Sequence, residues 1–411
     1  MLCPRNSIAL SEFQSGYLAA AAALPVFESL LCPGGRFESA VTMGSSFRMK
    51  LTLSFTVMVT VISAGVANVT AQSPTVPVAS FIFGDSLVDA GNNNYIGSLA
   101  RANYRGNGID FPGGKATGRF CNGRHVPDII GQTFNLPFAP PYLDPATKGN
   151  AILKGVNYAS GGAGILDDTG FTFIEVLPMD KQLTYFENTK QQLISMLGQP
   201  ATDELLANSL FSVTMGSNDY LNNYFIPFSP RASLKPQVYQ DIVINKFRVQ
   251  LQRLYDLGAR RIVIPSVGPI GCIPYQLAVK FRKNGQCDPE NSIIRDFNTA
   301  VKGLVQELNA KSGQPNFILV NAYDKVSDMI ARKGDYGFST ASTACCGTVG
   351  PYNALLPCNI LSTVCADRRV SLFWDAYHPS DAANVFLAQQ FVDGSDGYPM
   401  NIRQLVSHQF T

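Results

Sequence analysis

Histidine is nearly missing from this chain. Three occur in 411 residues: His125, His378 and His408. Any reaction that needs an imidazole must use one of them. Net charge is only +2, and no run of Lys and Arg interrupts the sequence, so a surface for nucleic acid is not expected. The cysteines lack the Cys-x-x-Cys pairs and neighbouring histidines that zinc sites use, and no metal is expected. The pattern Gly-x-Ser-x-Gly is absent as well, which argues against serine hydrolases built on that strand-to-helix elbow. There is no internal repeat and no low-complexity tract, and a structural wall protein would need one or the other.

What is present begins with nine cysteines. Cys3 and Cys32 precede the expected export signal. The other seven are Cys121, Cys272, Cys287, Cys345, Cys346, Cys358 and Cys365, four of them crowded into the last stretch. Without a zinc pattern they read as disulfides of an oxidising compartment, their connectivity open and one thiol left over. Residues 1–48 differ in character from the rest. They carry Glu12, Glu28 and Glu38, whereas a transit peptide is poor in acids. From Leu51 to Ala67 the chain is continuously apolar or small, with Lys50 ahead and Val69-Thr70-Ala71 behind. That is the pattern of a secretory signal peptide, and at 17 residues it is at the short limit for a membrane span. The expected organisation is an N-terminal extension at 1–48, disordered, with translation starting at Met43 or Met49. A signal peptide follows at 49–71, then one domain at 72–411. The only glycosylation sequon, Asn68-Val69-Thr70, falls inside the signal. Secretion to the extracellular space is expected, with the vacuole as an alternative destination and no stable membrane insertion after cleavage.

From Gln72 onward short apolar runs alternate with longer amphipathic ones. Strands are expected at Val78–Phe83, Leu210–Met215, Arg261–Pro265 and Asn316–Val320, and extended chain at Asn150–Tyr158. Helices are expected from Val126, over Met179–Leu197, Ala201–Asn208, Val238–Leu257 and Asn291–Ala310, and finally over Ala382–Phe391. Such alternation implies a parallel sheet covered on both faces, an α/β fold. The first strand ends at Gly84-Asp85-Ser86, which puts Ser86 at a carboxyl edge, where open α/β sheets bind ligands.

A serine there is inert without a base, a group to orient the base, and donors for an oxyanion. Asp375 and His378 stand three apart, so one turn can bring the carboxylate to one imidazole nitrogen and leave the other for Ser86. The Ser86 N–H, the N–H of a glycine in Ser160-Gly161-Gly162, and the Asn218 amide could serve the oxyanion. His125 reads as a surface or capping residue, and His408 receives no role.

Six stretches then share one likeness: FIFGDSLVDAGNNN (81–94), GRFCNG (118–123), VNYASGGAGIL (156–166), VTMGSNDY (213–220), PIGCIP (269–274) and LFWDAYHPS (372–380). Together they resemble the plant-type GDSL esterase/lipases of the SGNH hydrolase superfamily, over nearly all of the chain that follows the signal. The resemblance implies a flavodoxin-like three-layer α/β/α fold around a mainly parallel central sheet. It implies Ser86 as nucleophile, His378 as base and Asp375 as the third member. Gly161 and Asn218 are implied as oxyanion donors, with Gly162 one step along the same turn. The expected activity is hydrolysis of carboxylic esters through an acyl-enzyme, without cofactor. The expected partner is a small-molecule, lipid or wall-polymer ester. An acyltransferase using an alcohol in place of water shares every motif, and a non-catalytic binding protein would be expected to have lost one of them.

Overall fold

Four parallel strands form the central sheet in the order β1 (Ser80–Gly84), β2 (Leu210–Thr214), β3 (Arg261–Pro265) and β4 (Phe317–Val320). They are short, mostly apolar and almost wholly buried, as strands covered on both faces are. The computed structural model describes residues 76–283 and 286–410. In it a further segment runs beside the outer edge of β1. The Ile82 N–H donates to Val156 O, and those of Tyr158 and Ser160 donate to Ile82 O and Gly84 O. Counted in chain order, the sheet is therefore 2-1-3-4-5, the flavodoxin-like arrangement. Sheet growth reverses direction between β1 and β2, and the crevice above that point is where such sheets hold ligands.

Among the described residues the α-helices of six residues or more are α1 (Val126–Thr133), α2 (Met179–Leu197), α3 (Gln199–Ala207), α4 (Pro236–Asp256), α5 (Pro274–Val279), α6 (Glu290–Ser312), α7 (Ala322–Ala331), α8 (Asp381–Asp393) and α9 (Ile402–Ser407). Alternate strand residues serve opposite faces. Phe81, Phe83, Phe211, Val213, Ile262 and Ile264 pack against α2, α4 and α6. Leu210, Val263, Ile318 and Val320 pack against α1, α7, α8 and α9. The result is the expected three-layer α/β/α stack.

The expected elements lie within a few residues of those found, with one clear exception. Asn150–Tyr158 is not extended throughout: residues Gly149–Lys154 form a 3₁₀ helix. The chain turns at Gly155, whose φ is 109° and where a Cβ would sit 1.9 Å from Ser80 O. Only the residues after it run along β1. Helices α5, α7 and α9 were not among the expected elements.

Three disulfides, Cys272–Cys287, Cys345–Cys365 and Cys346–Cys358, leave Cys121 free and buried. The last two staple a small antiparallel pair, β5 (Cys346–Gly347) with β6 (Thr363–Val364). The N–H groups of Cys345 and Cys346 donate to Phe373 O and Trp374 O, so this hairpin holds the segment that leads into Asp375. Residues Gln72–Thr411 form one compact unit. The expected extension at 1–48, its start at Met43 or Met49 and the signal at 49–71 lie outside the described residues. Among the described residues no helix is long and apolar enough to cross a membrane.

Candidate active site

The turn after β1 is tight. The Asp85 N–H donates to Thr214 O on β2, and Asp85 O accepts the N–H groups of Val88 and Asp89. This holds Ser86 at the carboxyl edge of the sheet. The chain returns there 292 positions later: His378 Nε2 lies 2.8 Å from Ser86 Oγ. His378 Nδ1 lies 2.8 Å from Asp375 Oδ1. That same carboxylate oxygen accepts the N–H groups of Tyr377 and His378, each at 2.9 Å. A three-residue turn thus wraps the carboxylate, which is why Asp375 and His378 are spaced as they are. With Nδ1 donating to the carboxylate, Nε2 carries the lone pair that faces the serine hydroxyl. Asp375 and His378 are both buried, and the Phe120 ring packs 5.2 Å from the imidazole.

A cavity of about 290 Å³ opens on these groups, and Ser86, Gly162, Asn218, Asp375 and His378 all line it. Asn218 Nδ2 spends one hydrogen on Ala163 O, and its Oδ1 accepts from Asn222, which leaves the second amide hydrogen available. Gly161 is already engaged. Its N–H donates to Asp89 Oδ2 at 3.0 Å, and a Cβ on it would lie 2.5 Å from Phe120 Cζ. Of the two glycines expected at this turn, Gly161 therefore has its N–H engaged by Asp89. The N–H groups of Ser86 and Gly162 have no hydrogen-bond partner among the described residues.

Buried carboxylates shape the surrounding loops. Asp89 accepts the N–H groups of Gly91, Asn92 and Gly161. Burial pushes its carboxyl up to about 6 against the pull of those bonds. Asp219 accepts from Ile165 and Leu166 N–H and from the Thr169 hydroxyl, and so ties the Gly161–Thr169 loop to the turn that carries Asn218. His125 corrects the expectation of a surface residue. It sits at the N-cap position of α1 with its ring buried, and burial lowers its pKa to about 3. The imidazole is neutral at physiological pH and stands apart from the Ser86–His378–Asp375 chain.

Reading the sequence missed Asp85 and Asp89, although both stand in the Gly84-Asp85-Ser86 motif or one helical turn beyond it. Asp85 Oδ1 accepts the Leu87 N–H, while Oδ2 is buried without a partner among the described residues. Burial raises this carboxyl to about 7, with the Leu87 bond opposing. The folded protein therefore holds a proton that the unfolded chain has already released. Stability from this group is full below about pH 4 and falls as pH rises through 7. The loss amounts to about 4 kcal/mol over that span, at 1.4 kcal/mol per pH unit. Asp85→Asn keeps an acceptor for Leu87 and cannot ionise. Its melting temperature is expected to fall less than that of the wild type between pH 4.5 and 7.5. Parallel curves would show that Asp85 stays ionised throughout.

A family model, GDSL-like lipase/acylhydrolase, matches residues 81–391. Curated relatives align over most of both chains. GDSL esterase/lipase At4g16230 of Arabidopsis thaliana is 47% identical over 336 residues, 80% of this chain and 91% of the relative. GDSL esterase/lipase At3g50400 of the same plant is 47% identical over 338 residues, 80% of this chain and 90% of the relative. GDSL esterase/lipase At2g23540 is 45% identical over 337 residues, 80% of this chain and 87% of the relative. On that extent of match, the chain belongs to the GDSL-like lipase/acylhydrolase family and is a carboxylic ester hydrolase.

Proposed function

We propose that the protein hydrolyses esters through an acyl-enzyme on Ser86. The observation that carries this reading is the single imidazole that bridges Ser86 Oγ and Asp375 Oδ1. His378 Nε2 takes the hydroxyl proton as Ser86 Oγ bonds to the acyl carbon. Asp375 holds the tautomer and stabilises the imidazolium that forms. The carbonyl oxygen becomes an oxyanion and receives the Ser86 N–H, the Gly162 N–H and the free hydrogen of Asn218 Nδ2. Donors of this kind are each typically worth about 10²–10³ in kcat. As the carbon–oxygen bond to the alcohol breaks, His378 gives its proton to the departing oxygen. Water repeats the sequence on the acyl-enzyme and releases the acid. The test combines turnover with labelling. The protein should hydrolyse p-nitrophenyl butyrate and should be inactivated by one equivalent of a fluorophosphonate, recovered by peptide mapping on Ser86. Hydrolysis that survives the probe, or a label on another serine, rules the reading out.

The same reading includes export. A signal at 49–71 followed by a catalytic domain at 72–411 is supported by three disulfides, which persist in oxidising compartments. N-terminal sequencing of the protein recovered outside the cell is expected to begin at Gln72. A mature chain that starts upstream of Met43 contradicts it.

A further inference from the structure

Asp375 and His378 sit in a loop that is closed on itself. The Ser380 N–H donates to Leu372 O and the Trp374 N–H to His378 O, and the Ser380 hydroxyl donates to Ser371 O at 2.7 Å. These bonds make residues 371–380 one unit. They do not set how far that unit stands from Ser86, which lies 292 positions before His378 in the chain. A contact from outside the loop has to fix that distance, and residues 117–124 run between the two. At one end Thr117 O accepts from Asn94 Nδ2 at 2.9 Å, and a Cβ on Gly118 would lie 2.6 Å from Gly91 Cα. Gly91 and Asn94 belong to the loop that follows Ser86. In the middle the Phe120 ring packs on the imidazole. At the other end three successive residues grip Asp381, the first residue of α8. Asn122 Oδ1 accepts the Asp381 N–H at 2.9 Å. A Cβ on Gly123 would sit 2.5 Å from Asp381 Oδ1, so the approach requires glycine. Arg124 gives Oδ1 its N–H at 2.6 Å and its Nε hydrogen at 3.0 Å, and gives Oδ2 an Nη2 hydrogen at 2.9 Å.

We propose that Arg124 and Asp381 are positioning residues for ester hydrolysis: their pair fixes the first turn of α8, and with it the reach of His378 Nε2 to Ser86 Oγ. The proposal rests on the acyl-enzyme reading above. Neither side chain lines the cavity at Ser86. Both are partly exposed, and ion pairs of that kind add little to stability. What the pair supplies is geometry, because two parallel bonds from a planar guanidinium to one carboxylate allow a single relative placement. A reacting group misplaced by about 1 Å can cost roughly 10²-fold in rate.

Arg124→Gln and Asp381→Asn nearly keep the shape of each side chain and remove the charged pair. Each is expected to lower kcat on p-nitrophenyl butyrate about 10- to 100-fold, with KM within about twofold and a melting temperature close to that of the wild type. If one variant fails to fold, the other decides. Arg124→Lys, which keeps the charge without the fork, should fall between Arg124→Gln and the wild type. The double variant should lose no more than about threefold beyond the slower single one, since both changes break the same pair. The second readout is labelling of Ser86 by a fluorophosphonate. Its rate should fall by the same factor as kcat, while the final stoichiometry stays at one label per chain. A merely structural role would lower the stoichiometry and leave the rate of the remaining molecules unchanged, and that result overturns the proposal. So do losses that multiply in the double variant. A kcat within about twofold of the wild type in either single variant also overturns it, and leaves the acyl-enzyme intact. A label on a serine other than Ser86 overturns both.

Discussion

Replacing Ser86 by alanine is expected to lower kcat for ester hydrolysis by about 10⁵-fold, and His378→Ala by a similar factor. The reason is geometric. His378 Nε2 stands 2.8 Å from Ser86 Oγ, and among the three histidines only this one reaches a serine and a carboxylate together. His125 is buried elsewhere, and the His408 ring lies against Phe410. Without the hydroxyl there is no acyl-enzyme. Without the imidazole the hydroxyl is a weak nucleophile at neutral pH. Because the two act as a unit, the double variant should lose little more than either single one. Residual turnover above the rate in water, about 10³-fold, is what oxyanion donors and substrate binding supply on their own. Steady-state kinetics on variants whose melting temperatures match the wild type provides the check. More than about a tenth of wild-type turnover in Ser86→Ala, or losses that multiply in the double variant, would defeat the assignment.

Arg119→Ala is expected to cost about 3–5 kcal/mol of stability, because it strands a buried carboxylate. Arg119 Nε and one terminal nitrogen each lie 2.8 Å from an oxygen of Asp128. Both side chains are nearly fully buried, and the guanidinium also covers the Phe111 ring at 4.5 Å. Burial pushes the Asp128 carboxyl upward, but the charge and paired bonds of Arg119 hold it below the usual carboxylate range. That contribution is present above about pH 4 and is lost as pH falls through the depressed value. A fall of at least 5 °C or so in melting temperature at pH 7 is expected for a domain of this size, and the gap should narrow in acid. Phe120 follows Arg119 and packs on His378, so kcat should fall too. Arg119→Met with Asp128→Leu, which removes both charges, should recover most of the stability. An unchanged melting temperature in Arg119→Ala would mean that Asp128 is not the buried anion described here.

Much of this site was legible because its chemistry is local in sequence. Gly84-Asp85-Ser86 ends an apolar run, and Asp375 and His378 stand at the spacing of one turn. What could not be read depends on partners far along the chain. Whether Gly161 or Gly162 offers its N–H to the cavity is decided by Asp89, 72 positions upstream. No local pattern reports where that carboxylate points. The buried ring of His125 is likewise a result of packing against the Arg119–Asp128 region, while its place before Val126-Pro127 marked the helix start correctly. The extended reading of Asn150–Tyr158 failed because β-prone residues are compatible with a short 3₁₀ turn when Gly155 can take a positive φ next to β1. Disulfide partners were open on spacing alone, and only the hairpin beside Phe373 and Trp374 pairs Cys345 with Cys365 and Cys346 with Cys358.

The separation of Ser86 from His378 by 292 positions also has a consequence for how the protein is made. All four sheet strands precede Asp375 in the chain. A ribosome adding about 5–20 residues per second needs roughly 15–60 s between the nucleophile and its base. Throughout that interval the growing polypeptide holds a serine hydroxyl with nothing to deprotonate it. A chain cut short at Phe373 contains the residues of all four strands but lacks Asp375 and His378, and on the reading above its turnover is expected to fall to that of His378→Ala. On the acyl-enzyme reading proposed above, turnover is expected to appear only once His378 has been added, which a series of C-terminal truncations assayed for ester hydrolysis would check.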